Sequence, residues 1–312
     1  MTRLLFIINP TAGKKDRTEE LTAEITSLSL GERGRDYDIL VTEAPKDATK
    51  KTLDYIAAHE EDFIKIYACG GDGTLCEVAE GVYRSGSKKV AVGVLPLGSG
   101  NDFVKAFDKP TEVFRSIKNQ ANGRYKSIDV LSITDKNGED RISLNIVSAG
   151  FDAAVCKGMD KFKKWPLVSG SLAYKLSLVQ CVFTKRKNHF DLKLDGNKVG
   201  DKKDPYLFAI AANGRYYGGG FKASPYSVLE DGLLDFVRID SVSLFKFFSL
   251  VGKFRAGKHI DEMKDLVLYE KGTVLEIISE NEVDINVDGE IIPMKDPVIS
   301  LVPKAINIII PR

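Results

Sequence analysis

The sequence predicts an α/β domain followed by a mostly antiparallel β-sandwich domain. In the first third of the chain, four short apolar runs alternate with stretches of helical spacing, and turn-forming residues follow the runs. From about Ser127, short β-like runs are instead separated by turn signals such as Asp195-Gly196-Asn197 and Asp288-Gly289. We place the boundary after Lys126, which gives domains of residues 1–126 and 127–299. Whether residues 300–312 return to the first domain is left open.

Repeated strand–helix units account for the first domain. Strands are predicted over Leu4–Ile8, Tyr37–Val41, Phe63–Cys69 and Val90–Leu95, and helices over Thr18–Leu28, Asp47–Ala58 and Leu75–Ser85. Units of this length imply a Rossmann-like parallel sheet with helices on both faces.

Alternating apolar runs account for the second domain. They cover Val130–Thr134, Ile142–Ser148, Phe190–Leu194, Leu207–Ala212, Leu233–Arg238, Val274–Ile278 and Val283–Val287. Two helical stretches, Leu167–Thr184 and Ser243–Arg255, interrupt them, and the last run, Ile306–Ile310, is compatible with either domain.

Composition excludes several classes of protein. The 312 residues carry a net charge of +1, so no global basic field argues for nucleic acid. The four cysteines lack paired spacing, which argues against structural zinc and disulfides and favours the cytoplasm. The apolar run Leu4–Ile8 is too short for a signal peptide, and no transmembrane segment is expected.

Three loops rich in glycine or asparagine each follow a predicted strand of the first domain, at Asn9–Gly13, Gly70–Thr74 and Pro96–Asp102. The carboxyl ends of parallel strands meet at one edge of a sheet, where ligands bind in open α/β folds. Glycine there lets backbone N–H groups approach phosphate oxygens. The P-loop and protein-kinase motifs are missing, and Cys76 stands where the third glycine of a dinucleotide fingerprint belongs.

Taken together, these motifs resemble the diacylglycerol kinase catalytic family, which includes the bacterial soluble lipid kinases and the sphingosine and ceramide kinases. The resemblance extends over nearly the whole chain. It rests on Asn9-Pro10-Thr11-Ala12-Gly13, Gly70-Gly71-Asp72-Gly73-Thr74 with Glu77, Pro96 to Phe103, Asn145 with Gly150-Phe151-Asp152-Ala153, Asn213 with Gly218-Gly219-Gly220, Pro225, Asp231-Gly232-Leu233-Leu234-Asp235 and Asp288-Gly289-Glu290. Two positions depart from it: Cys76 replaces the usual Asn, and Tyr226 replaces the usual Ala.

The resemblance implies ATP as a cofactor and Mg²⁺ with it. Glycines at positions 70, 71 and 73 and Thr74 would cradle the triphosphate, and Asp72 would act through Mg²⁺. The other positions expected at the nucleotide are Asn9, Thr11, Thr42, Glu77, Gly98, Ser99, Asn101 and Asp102. Asp129 is expected to join Asp72 through water.

The resemblance also implies a general base and a second, structural Mg²⁺. Glu290 matches the position that would accept the proton of the attacking lipid hydroxyl. At the second metal site, Asp231 would act with the backbone oxygens of Val228 and Leu233. A plain hairpin turn explains the Asp231 segment equally well.

The family implies a lipid kinase with its active site in the cleft between the domains and diacylglycerol as the acceptor. An NAD kinase, which carries a similar GGDGT element, and a nucleotide-binding regulator without turnover are the alternatives. The chain would visit the membrane peripherally and transiently from the cytoplasm. Basic and aromatic residues at Lys161–Trp165 and Lys185–Lys187, and the aromatic residues of Ser243–Arg255, are candidates for that contact. The sequence does not name the lipid and leaves a homodimer open.

Overall fold

The computed structural model describes residues 1–163, 165, 170–184 and 186–312. It divides into two compact units, one of residues Met1–Val130 and Pro303–Arg312 and the other of Leu131–Val302. Of the candidate membrane segments, Lys164, residues 166–169 and Lys185 lie outside the described residues.

The first unit is a parallel α/β structure. Its elements are β1 (Thr2–Ile8), α1 (Thr18–Ser27), β2 (Tyr37–Val41), α2 (Asp47–Ala58), β3 (Phe63–Gly70), α3 (Asp72–Ser85), β4 (Val90–Pro96), a 3₁₀ turn (Phe103–Phe107), α4 (Thr111–Arg115) and α5 (Ile117–Ala121), followed by the start of β5 (Arg124–Thr134). The predicted α/β class is confirmed here.

The strand order of this unit sets the place for a ligand. The four parallel strands lie in the order β2-β1-β3-β4, because the chain moves from β1 to one side and then crosses to β3 on the other. The loops after β1 and β3 therefore flank the point at which the strand order reverses. Ligands of open α/β sheets bind at such a switch point, outside the carboxyl ends of the strands.

Apolar residues on both faces of this sheet explain its burial. Phe6 and Ile8 of β1 pack with Leu21 and Ile25 of α1 in one cluster, and the Phe6 ring stacks on Tyr67 with centroids 4.8 Å apart. Burying such side chains stabilises the fold by roughly 1.5–3 kcal/mol each. Strands buried on both faces read as continuous apolar runs, which is the pattern of β4.

Within its described residues, the second unit contains two groups of antiparallel strands and four helices. Its elements are β6 (Asp140–Ser143), β7 (Ile146–Gly150), α6 (Phe151–Lys163), α7 (Gly170–Thr184), β8 (Asp191–Leu194), β9 (Asn197–Gly200), β10 (Tyr206–Ala212), β11 (Leu234–Asp240), α8 (Leu244–Ala256), α9 (His259–Glu262), β12 (Val267–Gly272), β13 (Val274–Ile278), β14 (Val283–Val287), β15 (Glu290–Met294) and β16 (Val298–Ile310).

A sandwich core lies on one face of the six-stranded sheet β12-β11-β10-β7-β14-β15, and helices cover the other. Strand β10 shows both sides: Ala209 and Ala211 belong to the sandwich core, which also includes β8 and β13. Phe208 and Ile210 instead pack with residues from the helices. The predicted antiparallel second domain is confirmed.

The run predicted as one strand over Ile142–Ser148 is in fact two strands. The Asp288 carboxylate accepts the backbone N–H groups of Leu144 (2.8 Å) and Ile146 (2.8 Å), so these donors face a side chain. The break between β6 and β7 follows from that competition.

The helices of the second unit pack their apolar sides on the sheet. In α8, Phe247, Leu250 and Phe254 are buried, whereas Phe245 and Phe248 are 92% and 68% exposed. Among the described residues, no helix combines the length and apolar character needed to cross a bilayer.

Candidate active site

The loops after β1 and β3 are joined by side-chain hydrogen bonds. The amide of Asn9 donates to Thr74 Oγ1 (2.9 Å), and Asn9 Oδ1 accepts the N–H and the hydroxyl of Thr11 at 3.0 and 2.8 Å. Asn9 thus fixes both the first loop and the start of α3. An added Cβ on Gly70 would overlap the Thr74 side chain, so glycine is required where Thr74 turns inward.

The loops after β3 and β4 touch through their backbones. A Cβ on Gly98 would lie 2.6 Å from the Cα of Gly71, and a Cβ on Gly13 would lie 2.6 Å from the carbonyl oxygen of Leu97. The three glycine-bearing loops predicted from the sequence are therefore brought together, and their glycines allow the contact.

The first turn of α3 is open to a ligand. A Cβ on Gly73 would have no neighbour within 4 Å, and α3 runs for 14 residues from its N-cap at Gly71. Exposed N–H groups and the helix dipole favour an anion at such a terminus.

Two carboxylates lie beside this turn. A Cβ on Gly100 would lie 3.1 Å from Asp72 Oδ2 and 3.6 Å from Asp102 Oδ2. Asp72 also accepts the N–H of Phe103 (3.2 Å), and Asp102 is ion-paired with Lys105 (2.6 Å). Asp72 at the start of α3 and Asp102 on the loop after β4 thus both lie beside Gly100.

Two further predicted residues lie on the loop after β4, and a third follows β2. Asn101 is buried with φ +49°, and its amide donates to the Gly98 carbonyl oxygen (2.7 Å). Its buried Oδ1 has no hydrogen-bond partner among the described residues. Ser99 is exposed on the same loop. Thr42 follows β2, and its backbone N–H donates a hydrogen bond to the Ile8 carbonyl oxygen (2.9 Å).

The carboxylates of two predicted residues accept hydrogen bonds from backbone N–H groups. Glu77 accepts the N–H groups of Lys46 (3.0 Å) and Ala48 (3.1 Å), which begin α2. Asp129 is fully buried on β5, and its Oδ1 accepts the N–H of Lys304 (2.7 Å). These contacts give both residues a part in positioning loops and strands, beside any role at the nucleotide.

In the second unit, Glu290 follows a tightly held turn. Asp288, at φ +48°, binds the 143–146 segment, and Gly289 donates its N–H to Asn286 Oδ1 (2.8 Å). Glu290 itself is the first residue of β15, and its side chain is 59% exposed. The Glu290 carboxylate therefore faces solvent just after a turn whose backbone is held by hydrogen bonds.

Two residues near this turn were given no role by the sequence analysis. Arg141 on β6 lies 4.0 Å from Glu290 Oε1, in a run without a motif that could have signalled it. Asp152 lies in the first turn of α6 and accepts hydrogen bonds from Ser148 and from Asn286 (3.2 Å). Burial raises the pKa of Asp152 above its ordinary value, against the opposing effect of those hydrogen bonds. Its place in Gly150-Phe151-Asp152-Ala153 was the available signal.

The predicted second Mg²⁺ site does not fit the residues present. Asp231 Oδ1 accepts the Leu233 N–H (3.1 Å), and Asp231 Oδ2 is 2.6 Å from the Lys271 ammonium. Both carboxylate oxygens are thus engaged, and the Val228 side chain is partly exposed beside the turn. Among the described residues, no group of three or more acidic, histidine or cysteine side chains could hold a metal ion.

The fold and the joined loops define a two-unit protein with a candidate nucleotide-binding site, and comparison with known proteins gives its family. Residues 3–133 match the diacylglycerol kinase catalytic domain, and residues 145–310 match the YegS C-terminal NAD kinase beta sandwich-like domain. The chain belongs to the diacylglycerol kinase catalytic domain family and is a lipid kinase of that family.

Relatives of similar length support the assignment. A protein of Bacillus subtilis named diacylglycerol kinase is 26% identical over 93% of this chain and 90% of its own length. One of Staphylococcus carnosus with the same name is 25% identical over 92% of this chain and 88% of its own. A crystal structure of a diacylglycerol kinase from Bacillus anthracis has the same fold, with a TM-score of 0.68 at 21% identity over 98% of this chain and 96% of that chain.

Proposed function

We propose that the protein transfers the γ-phosphoryl group of ATP to the free hydroxyl of diacylglycerol, with Mg²⁺ as cofactor. The observation that carries the proposal is the meeting of the loops after β1, β3 and β4 at the open first turn of α3. Phosphoryl transfer depends mainly on positioning and charge neutralisation, and this meeting point supplies N–H donors for phosphate oxygens.

The orphaned acceptor in the third loop supports a nucleotide there. Asn101 Oδ1 is buried with no partner among the described residues, and a buried acceptor without a donor costs about 1–3 kcal/mol. A donor group of the nucleotide, such as a ribose hydroxyl or a base amine, would satisfy it. Thr11, Thr42 and Ser99 complete the proposed set.

The residues present fit a Mg²⁺ ion that arrives with ATP. Mg²⁺ is commonly bound by one or two carboxylates together with phosphate oxygens and water, and Asp72 and Asp102 both lie beside Gly100. When bound, the ion would neutralise the charge that develops on the phosphates. Asp129 stays a proposed partner of Asp72 through water.

We assign Glu290 the role of general base. Its carboxylate would take the proton from the acceptor hydroxyl as that oxygen forms a bond to the γ-phosphorus and the bond to ADP breaks. The turn at Asp288-Gly289 is held through Asp288 and Asn286, so the backbone that carries the Glu290 carboxylate starts from a fixed position. Diacylglycerol as the acceptor rests on the names of the relatives.

Contact with the membrane is proposed through the outer sides of α7 and α8. Val179 and Phe183 of α7 are 58% and 66% exposed, and Phe245 and Phe248 of α8 are exposed as well. Apolar side chains that enter the interface contribute roughly 1.5–3 kcal/mol each when fully buried. Phe245→Ser with Phe248→Ser should weaken binding to phosphatidylglycerol vesicles about tenfold or more. Unchanged sedimentation with vesicles would refute this contact.

The test of the function is transfer of labelled γ-phosphate to a panel of lipids in mixed micelles, with and without Mg²⁺. We expect one Mg²⁺-dependent product, phosphatidic acid, and losses of about 10²–10³ in kcat for Asp72→Asn and Glu290→Gln. Glu270→Gln, an exposed carboxylate on β12, is the matched control and should retain full activity.

Three results would contradict the proposal in different ways. Labelling of NAD in place of lipid would move the protein to the NAD kinases. ATP binding without transfer to any acceptor would make it a regulator. Full activity of Glu290→Gln on diacylglycerol would keep the reaction and remove its proposed base.

A further inference from the structure

The segment that leads into β11 carries two acidic residues close together. Asp231 lies in the turn before the strand, and its Oδ1 accepts the N–H of Leu233 (3.1 Å). Asp235 lies on the strand and is fully buried. Two carboxylates in a partly buried place repel each other and need a positive charge nearby.

Strand pairing brings a lysine to both carboxylates. Lys271 of β12 stands directly opposite Asp235 of β11, so their side chains lie on the same face of the sheet. The Lys271 ammonium is 2.6 Å from Asp231 Oδ2 and 3.7 Å from Asp235 Oδ1. Its three donors can serve both acceptors at once.

Two tyrosines close this cluster. Tyr269 is two residues before Lys271 on β12, and its hydroxyl is hydrogen-bonded to Asp235. The Tyr226 ring packs against Tyr269 with centroids 5.7 Å apart, and its hydroxyl donates to Asp261 (2.6 Å). Tyr226, one of the two departures from the family pattern, thus helps to cover the cluster.

An ammonium in this place leaves no room for a divalent ion. Mg²⁺ needs near-octahedral oxygen ligands at about 2.1 Å, and Asp231 would have to supply an oxygen that Lys271 already holds. The other Asp231 oxygen is bound to the Leu233 N–H. An ion at the turn would also lie close to a fixed positive charge.

We propose that Lys271 supplies, from within the chain, the positive charge that a bound divalent cation would otherwise provide at the Asp231 turn. The stability of the second unit is then independent of metal. Removing the lysine, in contrast, makes the Asp231 and Asp235 carboxylates and the backbone carbonyl oxygens of the turn available to cations from solvent. This inference concerns stability and stands whether or not the proposed reaction is correct.

The test compares thermal unfolding of the nucleotide-free protein in EDTA, Mg²⁺ and Ca²⁺. We expect the same Tm for the wild type in all three, and a Tm lower by roughly 3–6 °C for Lys271→Met in EDTA. Mg²⁺ or Ca²⁺ should restore part of that loss, and Asp231→Asn added to Lys271→Met should abolish the recovery. Lys202→Met, which breaks the exposed pair with Glu280 (2.8 Å), is the control and should show no metal response.

A second measurement covers the case in which Lys271→Met does not fold. The wild type and Asp231→Asn are dialysed against Mg²⁺ or Ca²⁺, and their metal contents are compared. We expect both proteins to retain the same amount of metal. One retained ion per chain that Asp231→Asn releases would overturn the inference, as would a wild-type Tm that falls in EDTA.

Discussion

Replacing Asp288 should cost both stability and activity, because one carboxylate serves several donors. It accepts the N–H groups of Leu144 (2.8 Å) and Ile146 (2.8 Å) and the hydroxyl of Ser143 (2.9 Å). Hydrogen bonds to a charged acceptor contribute about 1.5–3 kcal/mol each, and they are not additive where water can enter. Asp288 is half-buried, so we expect Asp288→Ala to lower the free energy of unfolding by about 2–4 kcal/mol.

The backbone of Asp288 adds a second contribution that a matched variant separates. Its φ of +48° lies in the left-handed region, which Asn and Asp tolerate and Ala adopts at a cost of about 1–2 kcal/mol. Asp288→Asn keeps that tolerance and one acceptor oxygen, so its loss should be about half that of Asp288→Ala. The control is Asp284→Asn, which breaks the exposed ion pair with Lys157 and should change stability by less than about 0.5 kcal/mol.

Urea unfolding of the three variants measures these differences, and lipid kinase assays at saturating ATP measure kcat. Because Glu290 lies two residues beyond Asp288, kcat should fall in Asp288→Ala even under conditions in which the variant is fully folded. Equal stability of Asp288→Ala and Asp284→Asn would refute the reasoning, since it would mean that the 143–146 segment needs no acceptor.

The remaining predictions concern single contacts. Gly98→Ala places a Cβ 2.6 Å from the Gly71 Cα and should raise KM for ATP about tenfold or more, with the wild-type far-ultraviolet circular dichroism spectrum. Glu77→Gln removes a charge from the start of α2 and should lower the free energy of unfolding by about 1 kcal/mol in urea titrations. Burial lowers the pKa of His259 to about 4, so the unfolded chain binds the extra proton and stability falls as pH drops from 6.5 toward 4. That loss should reach about 3 kcal/mol, and a His259→Gln variant with an unchanged slope over this window would contradict it.

The sequence predicted β1 to β4 and α1 to α3 of the first unit because these elements are bounded by strong local signals, whereas the 3₁₀ turn, α4 and α5, of five residues each, were not predicted. Apolar runs such as Tyr37–Val41 end at turn residues, and the helix over Asp47–Ala58 keeps one spacing throughout, so local propensity and tertiary packing agree. In the second unit, the sequence does not predict α6, whose run from Phe151 to Lys163 contains Gly158, a residue of low helix propensity. The short strands β9, β12 and β15 carry exposed polar residues and lack a clear alternation.

The candidate site shows where sequence reasoning ends. Glycines 71 and 98 lie on separate loops, and only the structure shows that their backbones touch. Lys271 carries no motif, and its effect on Asp231 depends on the register of β11 and β12. Motifs identify residues whose type the chemistry of the site requires. The contact between Lys271 and Asp231, in contrast, joins residues that are 40 positions apart and depends on strand pairing.

Strand β16 has a consequence for how the chain folds during synthesis. Val298–Ser300 pairs with β13, whereas Asn307 and Ile308 pair with β4, and the two compact units divide between Val302 and Pro303 within this one strand. On the ribosome, the first unit must therefore wait for a segment that is made more than 200 residues later than β4. Until residues 303–312 emerge, β4 lacks its pairing with β16, and Asp129 lacks its hydrogen bond from the Lys304 N–H. Chains stopped after Val302 should be captured by chaperones and proteases as incomplete first units, and adding the ten missing residues as a separate peptide should restore protease resistance to residues 1–130.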